Sequence, residues 1–247
     1  MHPAVLWILA LVAAALPALP AAAQQPPAAA GAVRALLAVG KLPSLTEAPQ
    51  HFLLRRIELP DGGRMTATAP SAVVYIAEGQ VAIAAPRERP TVHRAGEELF
   101  VPAGTRIGFK NQGDGPAIIL HFALGAADDL AKPFTADPIT VTVLGRSPEV
   151  PGLRPGPYEF GVTLVTVPPR GRPPPLHHRS GAAFYYVAAG AGQITMEDGR
   201  SEPRPAGAVQ FEPVDFMHSW ANAGDGPLLL LQANISPEGV PEIIFPK

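Results

Sequence analysis

From Phe52 onward the chain alternates short apolar runs with polar breaks rich in proline and glycine. Phe52-Leu53-Leu54, Ala72-Val73-Val74-Tyr75-Ile76, Val81-Ala82-Ile83 and Ala117-Ile118-Ile119-Leu120 are runs of this kind, and Phe184-Tyr185-Tyr186-Val187 repeats it later in the chain. β-Branched and aromatic runs of that length, bounded by turn formers, predict the strands of a sandwich or barrel. Ahead of them, residues 24–50 read as a flexible leader, with a short helix over Ala32–Val39.

The pattern repeats. A shift of 111 residues lays Tyr75 on Tyr186, Gly79 on Gly190, Ile83 on Ile194, Gly96 on Gly207, Phe100 on Phe211, Pro102 on Pro213 and Asn111 on Asn222. The turn Gly113-Asp114-Gly115-Pro116 returns unchanged as Gly224-Asp225-Gly226-Pro227. Self-similarity at one period marks a duplicated structural unit, and a unit of this length suffices for one jelly roll.

Composition agrees and narrows the function classes. The 31 prolines and 24 glycines suit many strands joined by tight turns and would break helices. Lys and Arg total 19 against 21 Asp and Glu, which gives no electrostatic reason to expect nucleic acid or an anionic membrane surface. The chain has no cysteine, so disulfides, thiolate metal sites and cysteine nucleophiles are excluded, and imidazoles and carboxylates remain as metal ligands. Residues 1–23 have the apolar run and Ala21-Ala22-Ala23 end of a secretory signal peptide, so a periplasmic or secreted protein is expected. No later stretch is long and apolar enough to span a bilayer, so no membrane contact is expected after cleavage.

Two segments concentrate the candidate chemistry. The first runs from Gly171 through His177-His178-Arg179 to Gly190, and the second reads Gly207, Pro213, Asp215, His218 and Asn222. Their spacing resembles the two signature motifs of the cupin superfamily: Gly, five residues, His-x-His, three or four residues, Glu, six residues, Gly; then Gly, five residues, Pro-x-Gly, two residues, His, three residues, Asn. Three positions depart from it: Arg179 stands at the second histidine, Ala183 at the glutamate and Asp215 at the turn glycine. The resemblance implies an all-β chain of two tandem cupin barrels, double-stranded β-helices or jelly rolls, after the signal peptide. The expected boundaries are 1–23 signal, 24–50 leader, 51–133 first barrel and 134–247 second barrel.

In the first barrel the same period puts Thr66, Thr68, Ala72 and Ile107 at the ligand positions, and none is a good metal ligand. In the second, strand alternation puts His177, Arg179, Ala183 and Tyr185 on one face, with His218 and Trp220 sharing the facing one, unless a bulge exchanges His178 for Arg179. Two readings follow. Arg179, Tyr185 and Trp220 bind a small, anionic organic molecule, or Arg179 is closed by an internal acid such as Glu212. Alternatively His177 and His218 hold one divalent metal (Fe, Mn, Ni or Zn) in a dioxygenase- or isomerase-like enzyme, as the resemblance implies. A third reading is a structural protein with both barrels filled. Cupins commonly pair through strand edges, so a homodimer is expected.

Overall fold

The computed structural model describes residues 31–45, 48–171 and 174–246; the expected signal peptide lies outside the described residues. In chain order the first half contains β1 (Val33–Leu42), β2 (Gln50–Leu59), β3 (Arg64–Thr68), β4 (Ser71–Glu78), β5 (Gln80–Ala84), β6 (Thr91–Arg94), β7 (Glu98–Val101), β8 (Arg106–Asn111), β9 (Ala117–Ala126), α1 (Ala127–Ala131), β10 (Thr135–Asp137) and β11 (Thr140–Arg146). The second half contains β12 (Tyr158–Val167), β13 (His178–Arg179), β14 (Ala182–Ala189), β15 (Ala191–Met196), β16 (Ser201–Pro205), β17 (Val209–Glu212), β18 (His218–Asn222), β19 (Leu228–Pro237) and β20 (Ile243–Ile244).

These strands build two antiparallel barrels. Sheets of order β11-β2-β9-β4-β7 and β10-β3-β8-β5-β6 form the first. The order β1-β12-β19-β14-β17, with β16-β15-β18 and the pair β13-β20, forms the second. Because side chains alternate along a strand, each large sheet serves two cores at once. On β14, Ala183, Tyr185 and Val187 point into their own barrel, whereas Ala182 and Phe184 join the core between the barrels. That shared core stacks Phe52 of the first half on Phe184 of the second, ring centroids 6.0 Å apart and 10° from parallel. The interior of the first barrel is largely aliphatic, with Ile57, Ile76, Val81, Ile107 and Ile119 at its centre.

The repeated Asn has a local cause. Asn111 donates its amide to the carbonyls of Leu59, Pro60 and Gly115, Asn222 does so to those of Val167 and Gly226, and each accepts from the glycine two residues on at 2.9 Å. One side chain therefore closes the Gly-Asp-Gly-Pro turn in each half.

Four expectations are corrected. The helix expected over Ala32–Val39 is instead β1, which pairs with β12 of the second half. The leader expected over residues 24–50 thus contains a barrel strand. The sheets also do not divide at residue 134. β10 and β11 belong to the first barrel, and β11 pairs with β2 as β1 pairs with β12, each with a register shift, at Val143/Gly145 and Leu36/Ala38. Each repeat gives its first strand to the other's barrel, where that strand has a free edge to pair with. Finally, the period slips by one near the first motif. Ala69-Pro70-Ser71 is one residue shorter than Arg179-Ser180-Gly181-Ala182, so Ala67, which faces Ile107, takes the place of His177, which faces His218. A one-residue slip reverses which side chains point inward. Buried Ala67 and Ala69, not Thr66 and Thr68, occupy the first two ligand positions.

Candidate functional site

The two motif segments meet at an antiparallel bridge. His177 and His218 exchange backbone hydrogen bonds of 3.0 and 2.9 Å, and their rings lie 4.6 Å apart, both buried. Each imidazole spends Nδ1 on the carbonyl two residues back, His177 on Pro175 at 2.9 Å and His218 on Phe216 at 2.8 Å. Both rings keep Nε2 for other work. His178 points the other way and lies 3.1 Å from the exposed carboxylate of Asp215. Asp215 itself has φ +64°, so at the motif's glycine position it performs the left-handed turn.

Arg179 is 1% exposed and lies among polar groups. Its Nε donates to Glu212 Oε2 at 3.1 Å, and one terminal nitrogen donates to the Tyr185 hydroxyl. Nη1 has no hydrogen-bond partner and lies 3.8 Å from Glu242 Oε1. Tyr185 donates onward to Gln232 at 2.9 Å and stacks on Trp220 at 5.2 Å. Trp220 donates its indole N–H to Glu212 Oε1 at 2.8 Å. His218 Nε2 lies 2.8 Å from the same oxygen but off the line of a hydrogen bond. The structure thus brings His177, Arg179, Tyr185, His218 and Trp220 together around Glu212, the internal acid.

Sequence reasoning missed Arg34 and Glu242. Arg34 enters on the exchanged strand β1, donating to Gln232 at 3.1 Å and to Glu242 at 3.2 and 3.3 Å. Glu242 arrives just before β20, which pairs with His178-Arg179, and it also accepts from the Gln232 amide. Nothing in the local pattern marks either residue, since each reaches the barrel from a segment remote in sequence.

The electrostatics follow from burial and alternation of charge. Burial, then the Arg179 guanidinium, pushes His177 down to about 4, so its ring is neutral at pH 7. Burial opposes the charge on Glu212, but His218 and Arg179 outweigh it and hold the carboxyl down at about 2. For Arg179 burial is likewise outweighed, by Tyr185, Glu212 and Glu242, and the group stays charged. Burial raises Tyr185, which stays a neutral donor.

A divalent ion would need a third ligand beside the two imidazoles, commonly a carboxylate. The motif position for it is Ala183, whose direct cross-strand partner is Glu212. A carboxylate is therefore at hand, but its two oxygens already accept from Arg179 and Trp220, and the guanidinium supplies the neutralising charge. Among the described residues, no group of three or more His, Asp or Glu side chains is arranged to hold a metal. As placed, both oxygens of Glu212 are committed to the ion pair with Arg179 and to Trp220.

Two stacked barrels with a split histidine motif in the second define a bicupin architecture. Residues 163–233, within the second barrel, match the family described as Cupin domain, and solved two-barrel structures share the fold across most of the chain. The chain is similar to AerE from Microcystis aeruginosa, at 14% identity and a TM-score of 0.53 over 82% of this chain and 96% of that one. Lactobacillus farciminis oxalate decarboxylase in its formate complex is similar at 14% identity and 0.55, over 85% and 87% of the two chains. Hazelnut (Corylus avellana) vicilin is similar at 13% and 0.53, over 76% of each. Identities this low show the fold alone. No curated protein sequence matches the chain.

Proposed function

We propose that this chain is an exported bicupin whose second barrel binds a small organic carboxylate through Arg34, Arg179, Tyr185 and Gln232, with Trp220 against its apolar part. One observation carries the reading: a carboxylate, that of Glu242, already lies on these donors, held by Arg34 and Gln232 and beside the unpartnered Nη1 of Arg179. A planar guanidinium fork suits a carboxylate, and Glu242 comes from a segment attached by a two-residue strand. A ligand carboxylate takes its place by displacing that segment. The similar oxalate decarboxylase is described in complex with formate, itself a carboxylate.

The test is thermal stabilisation of tag-free protein by a panel of small organic acids at constant ionic strength, with Trp220 fluorescence as a local readout. Binding should tighten in Glu242→Gln and vanish in Arg179→Ala; no stabilisation in either the parent or Glu242→Gln sinks the proposal.

The second reading, a metal-dependent cupin enzyme using His177 and His218, draws on their shared use of Nδ1 for backbone carbonyls, the second contact that orients ligating imidazoles. Stoichiometric metal in tag-free protein, lost in the His177→Ala, His218→Ala double variant, would establish it over the first. Export is tested by the mass of the mature protein, expected to begin at Gln24. A homodimer through strand edges completes the reading. β1 and β11 are outer strands that expose Leu36 and Val143 at 52% and 58%, and light scattering should find Leu36→Lys monomeric.

A further inference from the structure

The first barrel contains a buried cation that no acid answers among the described residues. Arg55 on β2 is 8% exposed, with its side chain toward the barrel interior beside its cross-strand partner His121 on β9. One terminal nitrogen donates to the Leu130 carbonyl at the end of α1, and the guanidinium carbon lies 5.1 Å from the centre of the Phe134 ring. His121 is 2% exposed, meets Phe134 edge-on at 5.7 Å, and has an Nδ1 without a hydrogen-bond partner. Burial pushes this imidazole down to about 3, with Arg55 adding to the effect, so it is no second cation at pH 7. Burial and the charge of another cation, Arg146, both weigh against the protonated form of Arg55, and no ion pair joins it to a carboxylate among the described residues.

The second barrel shows how such a cation is answered. At the 111-residue period Val74 corresponds to Tyr185, His121 to Gln232 and Phe134 to Phe245, which packs against His177 at 5.8 Å. The residue at the same period from Glu242, the acid that answers Arg34 there, is Ala131. The first barrel therefore has a cation of its own, at the register position that Thr163 holds on β12, and no acid at the position of Glu242.

We infer that Arg55, His121 and Phe134, where β2 and β9 meet the end of α1, form a second anion site, which takes a small carboxylate with an apolar body in the place that Glu242 fills in the second barrel. The carboxylate meets the free N–H groups of Arg55, His121 donates from whichever nitrogen carries its proton, and the body lies against Phe134. This site is independent of the one proposed around Arg179.

The experiment titrates the full-length mature chain, carrying ¹³C-labelled histidine, with benzoate or acetate against equal ionic strengths of chloride, following the His121 ring signal by NMR. A saturable displacement by carboxylate and not by chloride is expected, weakened at least ten-fold in Arg55→Gln. It should weaken as much in Ala131→Glu, which supplies an acid at the position of Glu242 and should also raise the melting temperature. A His121 signal that stays put, or moves as far in either variant as in the parent, overturns the inference. Trp220 fluorescence reports the second barrel separately, so failure at one site is distinguishable from failure at the other.

Discussion

Ala183 and Glu212 are direct cross-strand partners on β14 and β17, both fully buried. The small residue on one strand leaves room for a carboxylate from the other, and Arg179 two residues beyond the bridging His177 closes on it. The positions that define a metal site in the motif are thereby turned into a buried ion pair.

Breaking that pair should be costly on either side. Arg179→Met or Glu212→Gln alone strands the partner in the interior and should destabilise by about 3–5 kcal/mol. The Arg179→Met, Glu212→Leu double variant should cost well below the sum. Urea unfolding of the four proteins in the cycle measures the coupling, and additive costs would show that the two groups act separately.

Stability should fall as the solution is acidified from pH 6.5. Burial lowers His177 from its ordinary 6.5 to about 4 and His121 to about 3. Below pH 6.5 the unfolded chain therefore binds protons that the folded one refuses, so stability is complete above that pH and drains away towards 3. Glu212, held down from 4.5 to about 2, acts in the same direction: its contribution is present above pH 4.5 and lost towards 2. His121→Gln and His177→Gln should each flatten the decline between pH 6.5 and 4. A urea midpoint in the parent that is level across that interval contradicts the prediction.

Asp215 holds a left-handed backbone at φ +64°. Asp215→Gly should leave stability within about 1 kcal/mol of the parent, whereas Asp215→Ala should cost about 1–2 kcal/mol, because a Cβ without a compensating short polar side chain disfavours that conformation. Thermal melts of the two variants separate backbone strain from loss of the His178 contact, which both remove.

The exchanged strands should tolerate little added bulk where they touch the barrel they are not part of. A Cβ at Gly40 of β1 would lie 2.0 Å from the Phe100 ring, and one at Gly145 of β11 would lie 2.8 Å from Val209. Gly40→Ala and Gly145→Ala should each lose about 1–3 kcal/mol, the range for overpacking. An unchanged unfolding midpoint in both would mean that the strands are not seated in these places.

What the sequence by itself determined is what short-range pattern can carry. Alternating apolar runs and punctuating Gly and Pro specify strands and turns, the repeat specifies two like units, and the period of two puts Tyr185 inward and Phe184 outward. The grouping of His177, Arg179, His218 and Trp220 was legible for the same reason, since motif spacing places them on facing strands. Only the tertiary structure decided where β1 and β11 pair, that Ala67 and not Thr66 matches His177, and that Arg34 and Glu242 complete the second barrel's polar interior while Arg55 meets no acid among the described residues of the first. Those outcomes depend on register and on contacts between segments up to 208 residues apart. A free sheet edge accepts any extended segment that can reach it, and a one-residue loop difference reverses a strand's faces, so local periodicity does not encode them.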